Sequence, residues 1–384
     1  MRRIFPPRGI SVALLMLLVS VFARAAEVTT VPSLTLQELY DSNIYFARQD
    51  EKDDFITRAK PALDLGLRGE VSKLTSTLEG DFLYYAQETD LNDFRYNGNV
   101  EIDSKFSELW EFFGSAQYRK DTTLDSQLEE TGRVVNLEDR HRYDYSAGLG
   151  FDMTELSQLR AWYQYRQVNY DSDTLVDYNV DTFNLLFNKN LKNEIDSFNV
   201  LTSYSLGEND INETDTYHVN LGWRRKLSET FNVHVMGGYR WSDTKTVRKD
   251  TRQTEGFVAD VDISRKGEIY TINLGYRRNL STGSEGQNLV VDRIYGTIDR
   301  VLSERSSLAI KGQLLFTKND METNPEESRY YRIGPSFNYH LTENHVLSLS
   351  YTFEQEYDKA LEDNKDRDKH IAAISVRFAF PKEW

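Results

Sequence analysis

The chain contains no cysteine and, apart from its first 25 residues, no long apolar run. The lack of cysteine excludes a lipoprotein, because the lipid anchor of such proteins is attached to a cysteine that follows the signal peptide. A helix that spans a membrane needs about 18 or more consecutive apolar residues. The sequence therefore predicts a protein that has neither a lipid anchor nor a transmembrane helix.

Positive charge is also scarce, since 46 lysines and arginines face 61 aspartates and glutamates, for a net charge of -15. Affinity for nucleic acid arises mainly from basic side chains that neutralise phosphates. A chain this acidic has no electrostatic reason to bind nucleic acid, so we expect no nucleic-acid partner.

The N-terminus has the pattern of a cleaved secretory signal peptide. Arg2, Arg3 and Arg8 form a basic start, residues 10–22 are mostly apolar, and Ala23-Arg24-Ala25 supplies the small residues of a cleavage site. We expect cleavage before Ala26, which leaves residues 26–384 as one exported domain. Its net charge would be -19, because residues 1–25 contain four arginines and no acid.

A tight turn recurs about every 38 residues along the exported domain. Two strands and one longer, more polar loop separate each turn from the next. Five of the turns contain a Ser-Glu or Thr-Glu pair: Ser107-Glu108, Thr154-Glu155, Ser228-Glu229, Ser303-Glu304 and Thr342-Glu343. Short turns on one side and long loops on the other are typical of a transmembrane β-barrel.

The segments between the turns alternate between apolar and polar residues. In 217–224, for example, Tyr217, Val219 and Leu221 alternate with polar residues. Period two over eight or more residues indicates strands with one apolar and one wet face. We predict a single all-β domain, an antiparallel transmembrane barrel of 18 strands whose first strand lies near 31–45. A barrel of 16 strands is the alternative, because Glu38 interrupts the first strand. A β-propeller is disfavoured, because it needs four strands per repeat.

The predicted outer loops, such as 122–139, are polar and mostly acidic, except for the basic segment 245–252. None is longer than about 20 residues, so we expect no constriction loop and no plug domain. The lumen should then be open, as in other barrels of this strand number.

Every second residue of a strand faces the same side of the wall, so counting from the turns identifies the residues that should face inward. They carry both charges in similar numbers, so the wall should be balanced and could suit a hydrated, hydroxyl-rich solute. The candidate lumen-lining residues are Arg95, Glu101, Asp103, Arg160, Trp162, Arg166, Arg224, Arg240, Asp260, Asp262, Arg277, Lys311 and Arg332.

Nothing in the sequence predicts an enzyme. Six histidines occur, but no histidine with a nucleophile or paired acids forms a catalytic constellation. We also find no glycine-rich phosphate loop and no clustered metal ligands in the sequence. We therefore expect no catalytic residue, cofactor or metal.

One stretch goes beyond the generic barrel pattern. Residues 40–44 read Tyr-Asp-Ser-Asn-Ile, and residues 54–65 contain Asp-Phe-Ile-Thr followed by Lys-Pro-Ala-Leu-Asp-Leu. This N-terminal motif resembles the β-barrel porins of exopolysaccharide loci, which include outer-membrane proteins associated with the PEP-CTERM/exosortase system. The resemblance implies a Gram-negative outer-membrane conduit for a secreted polysaccharide. Its partners would be outer-membrane lipid, lipopolysaccharide, the barrel assembly machinery and a periplasmic polysaccharide-export protein.

Three functions are therefore compatible with the sequence. The first is export of a secreted exopolysaccharide, which the resemblance and an open lumen favour. The second is diffusion of small hydrophilic solutes, and the third is a structural or adhesive barrel whose acidic loops bind partners.

Overall fold

The fold is known from a computed structural model that describes residues 27–133, 136–246, 250–320, 327–358 and 366–383. The predicted signal peptide lies outside the described residues. Eighteen long strands form one antiparallel sheet, in which each strand pairs with its neighbours in the sequence. Their bounds are β1 (Glu27–Asp41), β2 (Asp54–Arg68), β3 (Ser72–Tyr85), β4 (Asp93–Lys105), β5 (Trp110–Thr122), β6 (Asp139–Thr154), β7 (Ser157–Tyr170), β8 (Tyr178–Asn190), β9 (Asp196–Asn209), β10 (Asn212–Ser228), β11 (Phe231–Thr246), β12 (Thr251–Lys266), β13 (Tyr270–Thr282), β14 (Asn288–Ser303), β15 (Ser306–Asn319), β16 (Glu327–His340), β17 (His345–Asp358) and β18 (Arg367–Ala379).

The sheet closes into a barrel because β1 pairs with both β2 and β18. Leu34 lies opposite Phe378 in the closing pair, and Asp41 lies opposite Ile371. A two-residue strand β19 (Lys382–Glu383) pairs with the beginning of β1. The prediction of an 18-stranded antiparallel barrel is confirmed, and the 16-stranded alternative is excluded because the first strand is a full member of the ring.

The position of the first strand differs from the one expected. Alternation predicted a strand over 31–45, whereas β1 begins at Glu27 and ends at Asp41. Asn43 ends the strand, because its side chain bonds to the backbone of Ala47 in both directions and to the carbonyl of Asp368. An asparagine that satisfies nearby backbone groups in this way favours a turn over a continued strand.

Alternate residues of each strand face opposite sides of the wall. On β10, Tyr217, Val219 and Leu221 are exposed, whereas Thr216 and Asn220 are buried. The exposed apolar residues form the outer face, which can contact lipid, and the polar residues face the lumen. Because the ring is closed, each of the 18 strands pairs with a strand on both sides, which leaves no edge strand without a neighbour.

The recurrent Ser-Glu and Thr-Glu turns share one hydrogen bond. The hydroxyl group of Ser107, Thr154, Ser228, Ser303 or Thr342 accepts a bond of 3.3 Å from the backbone N–H two residues later. This local bond stabilises a tight reversal, which explains why a short hydroxylated residue recurs at these positions. These turns define the short-turn end of the barrel, and the opposite end is called the long-loop end below.

Helical structure is confined to the long-loop end of the described chain. A 3-10 turn covers Thr89–Leu91, a π-helical turn covers Thr123–Gln127, and a single α-helical turn, α1, covers Leu128–Thr131. Within the described ranges, no helix is long and apolar enough to cross a membrane.

Candidate functional site

The connection between β5 and β6 enters the barrel and is the central feature of the lumen. We call its described residues 123–133 the crossing loop. Its start is held by Thr122, whose hydroxyl accepts a bond from the backbone N–H of Asp125, while the Asp125 carboxylate accepts one from the backbone N–H of Thr122. This reciprocal capping starts the helical turns, which end at Gly132 in a left-handed conformation with φ of 70°.

The far end of the crossing loop packs on the opposite wall. Leu128 is 1% exposed and belongs to a buried cluster with residues of β14, β15 and β16: Leu289, Val291, Leu315 and Tyr330. The strands β14 and β15 lie nine strands from β5 and β6, which is half-way round an 18-stranded ring. The loop therefore spans the lumen along a diameter.

Polar groups of the same wall bind the backbone of the loop. The Arg293 guanidinium donates to the carbonyl oxygens of Glu129 at 2.8 Å and Glu130 at 3.1 Å, and the Gln313 amide donates to the Glu129 carbonyl at 2.7 Å. Ser328 donates to the Gly132 carbonyl at 3.2 Å. The last carbonyl groups of a helix have no partner within the helix. The wall supplies those partners here.

Charged pairs join the crossing loop to the wall from which it starts. Asp125 lies 2.6 Å from Arg95 on β4. Glu130 forms ion pairs with Arg140, at 3.1 Å, and with Arg142, both on β6. Burial would raise the pKa of Glu130, but these two arginines outweigh it and hold the pKa below its usual value. For Asp125, Arg95 and the bonds from Thr122 likewise outweigh burial and keep the pKa low.

A second connection fills the space beside the crossing loop. Residues 42–53, between β1 and β2, place Phe46 in the same cluster as Leu128, where it is 1% exposed. Ile44 of this connection packs with Leu39, Ile56 and Leu83 on the wall. The lumen next to β16–β18 and β1–β3 is therefore occupied by side chains at the long-loop end.

The expectation that no connection is long enough to narrow the pore is wrong. The span 122–139 was expected to be an outer loop, but its helical residues 123–131 reach across the lumen, where Leu128 joins residues of β14 to β16. Arg293 lies five residues after Asn288, where β14 begins. At about 3.3 Å per residue, the loop contacts the wall about 16 Å along the strand from its end.

The candidate lumen-lining residues fall into three groups. Arg95, Arg166, Arg240 and Arg332 lie near the inward-folded loops: Arg332 pairs with Glu129 of the crossing loop, and Arg240 lies 2.5 Å from Asp320 at the β15–β16 connection. A second group forms pairs along the wall, namely Arg160 with Glu111, Trp162 with Phe113, Arg277 with Asp260, and Asp262 with Tyr295. Glu101, Asp103, Arg224 and Lys311 lie on β4, β10 and β15, at positions that alternate with the exposed apolar residues. Their role in permeation stays a prediction.

Two features of this site were missed in the sequence. Inward positions of β14 and β15 carry Leu289, Val291 and Leu315, and apolar residues on a wet face could have indicated a docking surface. Thr122 and Asp125, together with Gly132, could have indicated a short capped helix.

The structure also brings His234, Asp260 and Asp262 together, with candidate ligand atoms within 4.8 Å of one another. His234 and Asp262 are directly opposed on β11 and β12, which the separate sequence positions did not reveal. Arg277 already neutralises Asp260 at 2.8 Å, and Tyr295 donates to Asp262 at 2.6 Å. One oxygen of each carboxylate is therefore already bonded, whereas Nε2 of His234 and Oδ1 of Asp260 have no hydrogen-bond partner among the described residues. We assign no metal to this group.

Comparisons with known proteins agree with this geometry. Residues 23–183, about two-fifths of the chain, match the family model described as "Putative beta-barrel porin 2". The chain is a transmembrane β-barrel that is similar to this family over that stretch. In an outer-membrane porin the short turns face the periplasm and the long loops face outwards, and the outer face of the barrel lies among lipid and lipopolysaccharide.

Among solved structures, this barrel resembles OccK2 (OpdF) of Pseudomonas aeruginosa, with a TM-score of 0.50 and 8% identity over 92% of this chain and 98% of that one. At this identity the likeness shows the fold alone. OpdK of Pseudomonas aeruginosa, solved with vanillate, has a TM-score of 0.49 at 10% identity over 93% and 99% of the two chains. OccAB4 of Acinetobacter baumannii has the same four values. No curated protein matches the sequence significantly.

Proposed function

We propose that this barrel is a diffusion channel for small hydrophilic solutes, and that the crossing loop sets the size of its opening. The observation that carries the proposal is the docking of the loop on the opposite wall through Leu128 and Arg293. A loop that spans the diameter divides the lumen and leaves room for small molecules on one side. The polar, charge-balanced wall fits solutes that cross with their hydration shell largely intact.

The proposal can be tested by replacing residues 124–132 with a short Gly-Ser linker and recording single channels in planar bilayers. We expect several-fold higher conductance for the variant than for the unmodified protein. A matched control replaces Thr89–Leu91, also at the long-loop end, with glycine and serine, and its conductance should not change. Equal conductance of all three proteins would show that the crossing loop does not limit the pore.

Export of a secreted exopolysaccharide is the second candidate. The N-terminal motif at 40–44 and 54–65 supports it. The premise that no connection enters the lumen, which favoured this function, is wrong. Export would require the crossing loop to leave the wall. Deletion of the gene should then abolish surface polysaccharide while small-solute uptake continues, and normal polymer export by the mutant would reject this candidate.

A structural or adhesive barrel is distinguished by the same recordings. Such a barrel needs no path for ions, so the purified protein and the loop-replacement variant should both be silent in the bilayer. Conductance by either protein would reject this alternative and support a channel.

A further inference from the structure

A cavity of about 490 Å³ lies on one side of the crossing loop. Inward residues of β5 to β10 line it, and residues of β13 and β14 complete the lining on the other side. Arg142 belongs both to this lining and to the ion pair with Glu130, so the crossing loop borders the cavity. Its volume falls within the range of about 300–1,000 Å³ that is usual for small-molecule sites.

A third inward-folded connection covers this cavity at the long-loop end. Residues 283–287 join β13 and β14. The Gly286 carbonyl accepts bonds from Asn209 at 3.1 Å and Asn212 at 2.9 Å. Asn288 reaches from β14 to the hydroxyl groups of Thr214 and Thr244, at 3.1 and 3.2 Å. These bonds hold the cover in place across the lumen.

Hydroxyl and amide groups dominate the lining. They include Ser146, Gln164, Thr182, Ser205 and Thr216. Several are aligned by bonds to the neighbouring strand: Ser146 with Ser115 at 2.7 Å, Thr182 with Ser205 at 3.0 Å and Thr216 with Ser242 at 3.1 Å. A hydroxyl that uses one bond in this way retains another donor or acceptor site for a solute.

The charged groups of the lining are held in ion pairs. Arg166 lies 2.7 Å from Asp144, and Arg142 pairs with Asp144 and with Glu130 of the crossing loop, which also pairs with Arg140. Arg142, Arg166 and Asp144 are thus engaged by protein partners rather than left for an anion or a cation. The cavity nevertheless presents many donors and acceptors.

We propose that this cavity is a binding site for small, uncharged, hydroxyl-rich solutes such as a monosaccharide, and that solutes pass the crossing loop on this side. The inference rests on the proposed channel function and adds the route and the solute class. Each hydroxyl group of a sugar both donates and accepts, as the lining groups do, so the bonds that the solute loses to water are replaced by bonds to the wall.

The test measures the swelling of liposomes that contain the purified protein, with a neutral hexose, the corresponding hexuronate and the corresponding hexosamine as solutes. We expect the neutral hexose to enter several-fold faster than either charged relative of the same size. Faster entry of the hexuronate or the hexosamine would overturn the solute class. Failure of all three to enter would instead reject the channel function itself.

Gly207 provides a test of the route, because it lines the cavity and an added Cβ would meet only ordinary contacts of 3.9 Å. Gly207→Trp should fill the cavity and slow hexose entry several-fold. Gly66→Trp is the matched control on β2, where an added Cβ would meet Thr29 at 3.6 Å, and entry should not change. If Gly207→Trp enters membranes as a folded barrel and hexose entry is unchanged, the route is wrong, although the channel function stands. The comparison of the three solutes uses the unmodified protein, so it remains decisive if this variant does not fold.

Discussion

The two walls that flank the crossing loop differ in the residues that they turn inward. On β14 to β16 these are Leu289, Leu315 and Tyr330, which are almost completely buried. On β7 to β9 they are Gln164, Thr182 and Ser205, which line a cavity. The same barrel geometry therefore produces a dry surface that holds a loop and a wet surface that can hold a solute. Side-chain chemistry at alternate positions, rather than the fold, separates these roles.

The apolar residues of β14 to β16 should contribute most of the free energy that docks the crossing loop. The strongest test of this is Leu128→Ala. Removal of a buried leucine side chain costs about 2–5 kcal/mol. Since about 1.4 kcal/mol is a factor of ten in population, the detached state should become at least roughly tenfold more populated. Single-channel recordings should show more frequent high-conductance events.

The control for this variant is Leu221→Ala. Leu221 is 65% exposed on the outer face of β10, so its loss should leave the recordings unchanged. Similar behaviour of the two variants would mean that burial against β14 to β16 does not hold the loop.

A smaller effect is expected from Arg293→Met, which removes the bonds to the Glu129 and Glu130 carbonyls. A buried acceptor left without a partner costs about 1–3 kcal/mol, and Gln313 still serves one of the two carbonyls. High-conductance events should increase, but less than in Leu128→Ala. Arg300→Met, on the same strand, is the control. A larger effect than that of Leu128→Ala would show that polar contacts, not the apolar cluster, secure the loop.

Gly132→Ala should weaken docking by about 1–2 kcal/mol, because an alanine rarely adopts the left-handed conformation. Its φ of 70° is the positive angle at which α1 ends. An added Cβ would also meet the Cβ atoms of Leu315 and Tyr330 at 3.1 Å. Recordings of Gly207→Ala, whose Cβ has space, serve as the comparison. Unchanged gating in Gly132→Ala would argue against a tightly packed loop end.

Acid should have the smallest effect on the docking of the crossing loop, and it should act on the ion pairs that join Glu130 to β6. Arg140 and Arg142 hold the pKa of Glu130 below its ordinary value of 4.5. The ionised form is therefore favoured when the loop is docked. This contribution is complete above the ordinary pKa and is lost as the pH falls through the lowered one.

High-conductance events should accordingly increase below about pH 4.5, the ordinary value for this group. Glu130→Gln should remove part of this dependence, whereas Glu285→Gln, whose side chain is exposed to solvent, should retain it. A pH profile of Glu130→Gln identical to that of the unmodified protein would show that Glu130 does not contribute to docking.

The barrel itself could be read from the sequence, because period-two alternation and the turn chemistry at residues such as Ser228 and Ser303 are local properties. The strand number followed from the same spacing. The end of β1 was missed because the bonds of Asn43 involve Asp368, which lies 325 residues away. Alternation alone cannot show where such a bond stops a strand.

The crossing loop could not be predicted from its length alone. The bond from Arg293 to Glu129 joins residues 164 positions apart, and it depends on the curvature and stagger of the whole ring. The apolar inward residues Leu289, Val291 and Leu315 were visible in the sequence. Only the structure shows that they pack against Leu128 of the crossing loop. A polar wall with balanced charge was expected, whereas the concentration of hydroxyl groups on one side of the crossing loop was not.

The position of the crossing loop also has a mechanical consequence. A thin-walled cylinder deforms most easily by flattening into an ellipse. A tie anchored between β5 and β6 and held on β14 to β16 resists elongation along that diameter, since stretching would pull Leu128 out of its cluster. The loop therefore acts as a cross-brace. Lateral pressure from the surrounding bilayer would be borne by these few contacts as well as by the ladder of the wall.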